Sequence, residues 1–210
     1  MKYMDHDGVN PEIADTLYEL SNVGVGMASI ALGKMLGSAI SIGIPKVVAV
    51  SSNIEDIIQD DPEKVAIGIL MSMEKTLSGA VLFVIDSAFL SQLIEQLTGR
   101  FLQGTALVED EESLSAVGEV ANIMAASYMK AIGAYTGIRI FLSPVMVGVD
   151  MIGALITYPI AQLGINSQDA ICVDTGFSIM GSPKGKTAGR VIMFPNEDSV
   201  EQIIKALQNS

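Results

Sequence analysis

The stretch from Asp15 to Pro45, DTLYELSNVGVGMASIALGKMLGSAISIGIP, returns in recognisable form from Ser115 onward, and no other feature constrains the fold of this chain as tightly. A shift of one hundred residues lays Glu19 on Glu119 and Asn22 on Asn122. It also lays Leu17 on Val117, Leu20 on Val120, Val23 on Ile123, Gly33 on Gly133 and Gly37 on Gly137. A period this long is not a solenoid repeat. It reads as one half-domain used twice about an approximate twofold axis. The halves are expected over about 10–105 and 110–210, within a single domain covering residues 1–210. A chain of this length suffices for one substantial core shared between them.

Half of the residues are hydrophobic and 17% are charged, which is a core-building rather than a disordered composition. The net charge of -12 argues against nucleic acid and against anionic membranes, both of which are held by Lys and Arg. Leu20 to Pro45 carries few charges, but Lys34 and several glycines interrupt it, so it reads as a buried helix and not as a membrane span. Cys172 is the single cysteine and has no partner within the chain, and MKYMDHDG lacks the apolar run of a signal peptide. The expected compartment is the cytoplasm.

Asn10-Pro11-Glu12 is a helix start, with apolar residues following at three- and four-residue steps from Ile13 to Ile30 and a stop near Gly37. A strand follows through ISIGIPKVVAVSS, then a short helix over Asn53 to Gln59, a hairpin over Lys64–Met73 and Leu77–Ile85, and a helix capped by Ser87 and stopped at Gly99. After an acidic loop, Leu107 to Glu112, the order begins again. A helix over Leu114–Tyr135 precedes a strand over Ile138–Val149 and an apolar segment, Met151 to Leu163. Strands Ala170–Met180 and Thr187–Phe194 and a helix from Asp198 complete the chain. Each half therefore reads helix, strand, helix, hairpin, helix. Pooling their strands gives an α/β (α+β) fold with a six-stranded, largely antiparallel sheet and helices packed on it.

Familiar catalytic sets are missing. His6 is the single histidine, so neither a His-based triad nor a multi-His metal site can be assembled, and no metal site is expected. VGVG at Val23 to Gly26 lies inside a helical pattern and lacks the Lys-Ser or Lys-Thr of a phosphate loop. What remains is a Glu and an Asn three residues apart on a helix, hence neighbours on one face, present twice. A single copy is ordinarily a solvated helix surface; two copies at equivalent places make Glu19, Asn22, Glu119 and Asn122 the candidate site residues.

With its flanks, Asp15, Glu19, Asn22 and Pro45, the first copy resembles the signature of the CheC, CheX and FliY family of chemotaxis phosphatases, and Ser115, Glu119, Asn122 and Pro144 resemble it again. DPEKVAIGILMSMEKTLSGAVLFVID, LTGR at Leu97–Arg100 and VDMIGALI at Val149–Ile156 extend the resemblance over nearly the whole chain, closest to the CheC branch. Two departures stand out. Asn122 to Pro144 is one residue shorter than Asn22 to Pro45, which would shift a strand entry, and Met27 occupies a place where the family often has Asn.

The resemblance implies a protein aspartyl-phosphate phosphatase acting on phosphorylated CheY. Asn22 and Asn122 would position water, and Glu19 and Glu119 would anchor to a receiver Lys. Asp15, Pro45, Ser115 and Pro144 would support the motifs. No cofactor is implied on this chain, because magnesium belongs to the receiver. It also implies docking of the deamidase CheD through Asp150, Met151, Ile152 and Leu155. Two other readings are a CheD-binding adaptor with little hydrolysis and a flagellar switch component resembling FliY. The extra C-terminal domain expected of the latter is not seen after Ser210, and a CheX-like chain would carry one motif rather than two.

Overall fold

The computed structural model describes residues 4–5, 8–49, 61–103, 106–162, 171–180 and 187–208. The helix expected over Asn53 to Gln59 and the glycine turn after Met180 lie outside them, as does His6. After a small ribbon of β1 (Met4–Asp5) and β2 (Gly8–Val9), the first half comprises α1 (Pro11–Leu36), β3 (Ile40–Ile42), β4 (Lys46–Ala49), β5 (Val65–Glu74), β6 (Gly79–Ile85) and α2 (Ser87–Thr98). A short α3 (Ala106–Glu109) leads into the second: α4 (Glu111–Thr136), β7 (Phe141–Leu142), β8 (Met146–Met151), α5 (Ile152–Gln162), β9 (Ile171–Ile179), β10 (Gly189–Pro195) and α6 (Glu197–Gln208).

All sheet pairings are antiparallel. β10 lies beside β6 at the centre, β9 and β5 flank them, and the outer positions are filled by β3 with β4 and by β7 with β8. Among the described residues this main sheet has eight strands in six positions because each outer strand is broken at its proline, which has no N–H to give to a ladder. The outer strands cross over: β3 and β4 pair with β9 of the other half, and β7 and β8 pair with β5. The two halves are therefore stitched into one sheet.

Strand residues alternate between two apolar layers. Ile67, Ile69, Met71, Val81, Phe83, Val191 and Met193 face the layer formed by α1, α4 and α2. Ala66, Leu70, Leu82, Val84, Ile192 and Phe194 face α5. Because both faces are covered, β6 and β10 are buried from end to end, which explains the apolar runs of β6 and of Val191–Pro195, while the buried Arg190 of β10 pairs with Asp174 on β9.

The repeat is carried through to burial. From Ile13 to Gly37 and from Ser113 to Gly137 the buried, half-buried and exposed positions coincide under the hundred-residue shift at all but five pairs, those of Tyr18, Gly26, Met27, Ala31 and Met35 with their counterparts. Both helices end on a glycine in the left-handed region, Gly37 at φ 59° and Gly137 at φ 70°. Asn10 caps α1, its side chain accepting from the Glu12 N–H at 3.0 Å. The cap of α2 is Asp86 rather than Ser87, because the Asp86 carboxylate accepts from the N–H groups of Ala88 and Phe89. Asp110 caps α4 by accepting from the hydroxyl and N–H of Ser113, and these bonds, with Arg100 beside them, hold its carboxyl below the usual range.

Among the described helices, no two pack together as extensively as α1 and α4. At their crossing the Tyr128 ring lies over Gly24, where an added Cβ would come within 2.7 Å of ring carbons. The Tyr128 hydroxyl meets Ser21 Oγ at 3.1 Å, and burial pushes this phenol up to about 12. Gly24→Ala is accordingly expected to cost about 1–3 kcal/mol through overpacking, measured by urea unfolding. The loss should shrink in a Tyr128→Leu background, where the ring is gone; an equal loss in both backgrounds would show that the ring contact is not its cause.

Candidate functional site

Asp15, Glu19 and Asn22 fall four and then three residues apart on α1, so they share one stripe of the helix, and all three are exposed. Leu17, Leu20 and Ser21, between them in sequence, are buried against the sheet side. Ser115, Glu119 and Asn122 repeat the arrangement on α4, exposed between buried Val117, Val120 and Ala121. The side chains of Glu19, Asn22, Glu119 and Asn122 make no hydrogen bond or ion pair with any described residue. Their donors and acceptors face solvent, where a docking partner can use them.

The motif prolines sit in the breaks of the outer strands, and their unequal spacing does not move the strands. Ile42 stands opposite Phe177 and Lys46 opposite Asp174, so four residues advance over three. Leu142 opposite Met73 and Met146 opposite Leu70 give the same advance. Each break is thus a one-residue bulge in the same register, contrary to the shifted entry expected from the short second spacing. Gly43 N–H donates to Gly176 O at 2.8 Å on one side, and Ser143 N–H donates to Ser72 O at 2.9 Å on the other. The proline has moved within the bulge instead: Pro45 is buried, whereas Pro144 is exposed. Met27 lies five residues beyond Asn22, about 140° round the helix, and is off the Glu and Asn stripe.

Each stripe continues toward the C-terminal end of its helix and reaches a groove. On α1 this has a volume of about 430 Å³ and is lined by Ile30, Gly33, Lys34 and Ala39. On α4 it has about 580 Å³ and is lined by Ala126, Lys130, Gly133, Arg139 and Ile140. The sequence reading passed over Lys130 and Arg139, although Lys130 continues the i, i+4 series from Asn122 through Ala126.

The residues proposed from sequence for a second partner lie elsewhere, at the junction of β8 and α5. Asp150 and Met151 are exposed, and the Met151 N–H donates to the Asp150 carboxylate at 2.8 Å. Ile152 is buried at 3% exposure and faces the core, so it is removed from any docking surface. Leu155 is half-buried and lies over Gly68. A groove of about 570 Å³ runs along this junction, lined by Met146, Gly148, Asp150, Leu155 and Tyr158.

Among the described residues no group of three metal-binding side chains comes together, and no helix is long and apolar enough to cross a membrane. Cys172 is buried, and burial pushes its thiol up, away from the thiolate that a nucleophile requires.

The second copy of the motif, residues 112–144, matches the model of the CheC-like family. The chain is 30% identical over 203 residues to a Bacillus subtilis (strain 168) protein named CheY-P phosphatase CheC, covering 96% of each. It belongs to the CheC-like family. Its fold is also that of FliY from Thermotoga maritima, with a TM-score of 0.70, 22% identity and coverage of 96% of this chain and 98% of that one. The middle domain of FliM from H. pylori shares it at a TM-score of 0.62 and 13% identity, over 94% and 99% of the two chains.

Because the two carboxamides are exposed and make no hydrogen bond with any described residue, Asn22→Ala and Asn122→Ala are each expected to change unfolding free energy by no more than about 0.5 kcal/mol. Thermal unfolding checks this. A loss beyond that range would mean that the Asn side chain supports the fold and not a surface site.

Proposed function

We propose that this chain is a phosphatase of phosphorylated CheY, hydrolysing the aspartyl phosphate of that receiver in the cytoplasm. The observation that carries the reading is the duplicated Glu and Asn stripe, exposed and without a hydrogen-bond or ion-pair partner among the described residues, on two helices whose burial patterns largely coincide under the repeat. The curated relative with the phosphatase name supports it, being 30% identical over 96% of the chain. The similarity to FliY and FliM is one of fold, and favours no switch-component role over this one.

Hydrolysis of an aspartyl phosphate needs a water in line with the phosphorus–oxygen bond that breaks. The water oxygen becomes part of the released phosphate, and the aspartate carboxylate is regenerated. A carboxamide suits this task, since its oxygen accepts from water while its NH2 donates, and it does not titrate. Asn22 and Asn122 hold that water in this reading. Glu19 and Glu119, one helical turn earlier, pair with a receiver Lys and fix the approach. The receiver supplies its own magnesium, and no covalent intermediate forms on this chain.

CheD is a second proposed partner, at the β8–α5 junction. What favours that surface is the groove there with Asp150 at its rim and exposed Met146, Val149 and Met151 beside it. Asp150→Lys is expected to weaken CheD binding in a calorimetric titration; unchanged binding would remove this junction from consideration.

For hydrolysis, phosphate release from phosphorylated CheY should fall only in part in Asn22→Ala or Asn122→Ala. Each amide removed should cost its own site about a hundredfold or more, and the double variant should be nearly inactive. Wild-type release from the folded double variant would eliminate the mechanism.

A further inference from the structure

Carboxylates outnumber basic residues two to one in this chain, 24 against 12, yet they are not spread evenly. From Val120 to Val149 there is none, and the two charges in that stretch are Lys130 and Arg139. Both line the groove at the C-terminal end of α4 and both are exposed, with no ion-pair partner among the described residues. Glu74 is the carboxylate that comes opposite a groove residue, Phe141, in the ladder. Lys75 follows it directly, with its ammonium 4.0 Å from the centre of the Phe141 ring. The surroundings of the groove are therefore cationic on an otherwise acidic protein.

The equivalent groove on α1 is different. Ile30 and Ala39 occupy the places of Lys130 and Arg139, and Lys34 stands where the second groove has Ala134. The Glu and Asn pairs are identical, while the grooves beside them are not.

We infer that the α4 groove is a docking surface for an acidic segment of the same phosphorylated receiver that presents its phosphate to Asn122, with Lys130 and Arg139 as its contacts. This rests on the phosphatase reading. Lys130 lies eight residues beyond Asn122, about 12 Å along the helix, which is within the footprint of one docked domain. A protein of net charge -12 repels acidic partners at long range, so a local reversal of sign beside the reacting group favours one orientation of approach. The groove walls add apolar contact through Met129, Ile138 and Ile140.

The test separates the two sites. In an Asn22→Ala background, where turnover belongs to the second site, Lys130→Gln with Arg139→Gln should raise KM about five- to tenfold at low salt and leave kcat in place. Most of that change should disappear at about 0.5 M salt, where the Debye length is only a few ångströms. In an Asn122→Ala background the same pair should not alter KM, and Lys130→Arg with Arg139→Lys should restore it at the second site. A binding arm, titrating beryllofluoride-bound CheY into the Glu19→Lys protein, should show the same salt-dependent loss.

If hydrolysis ignores both Asn residues while the titration keeps this loss, the catalytic reading fails and the docking surface stands. If KM is unmoved, moves equally in both backgrounds, or moves independently of salt, the two cations merely offset the end of α4 and the inference is overturned. Should the neutral pair fail to fold by circular dichroism, Lys130→Gln alone, at an exposed helical position, carries the same test.

Discussion

The α1–α4 crossing is the contact on which the arrangement of the whole molecule depends. The Tyr128 ring fits over Gly24 because that position has no side chain, and its hydroxyl reaches Ser21, which in turn lies 3.4 Å from Thr175 on β9. One aromatic residue thus ties both long helices to the sheet. Its counterpart under the repeat is Ala28, and that of Gly24 is Met124, so the symmetry is broken at the very place where the helices touch. Large against small packs more closely than two equal side chains facing each other across an axis. The outward stripes stay alike because, among the described residues, their Glu and Asn side chains are exposed and have no hydrogen-bond or ion-pair partner to diverge against.

This division explains what the two sites share and where they diverge. Glu19 with Asn22 and Glu119 with Asn122 occupy equal positions on equal helices, and the bulges at Pro45 and Pro144 keep the outer strands in equal register. Beyond Asn22 and Asn122 the surfaces separate, with Ile30 opposed to Lys130 and Ala39 to Arg139. Under the proposed function, the chemistry is duplicated and the recognition around it is not.

Much of the fold was legible in the sequence because its signals are local. Asn10-Pro11 opens α1, Gly37 and Gly137 close the long helices, and the two hairpins lie where β-branched runs are separated by turn residues. Local competition hid some details. Ser87 reads as a cap until Asp86, a carboxylate one residue earlier, takes the same N–H groups. The outer strands read as continuous because their apolar residues continue past Pro45 and Pro144, while the missing N–H breaks the ladder. Met151 to Leu163 gave no periodicity that separates core from helix, and α5 forms there with Pro159 inside it. The exchange of outer strands had no local signal at all. At the site, the Glu and Asn residues could be found because they occur twice, whereas Lys130 and Arg139 occur once and come together only when the chain turns at Gly137.

That exchange bears on how the chain reaches its fold. Ile42 must find Phe177, and Lys46 must find Asp174, across most of the length of the polypeptide. During synthesis β3 and β4 emerge long before their ladder partner, so the first half waits with an unpaired edge until β9 has left the ribosome. Such distant pairing slows the search. Each half also completes its sheet with strands from the other. A chain built this way retains the logic of two subunits exchanging arms, with the linker around Asp110 fixing their stoichiometry at one to one.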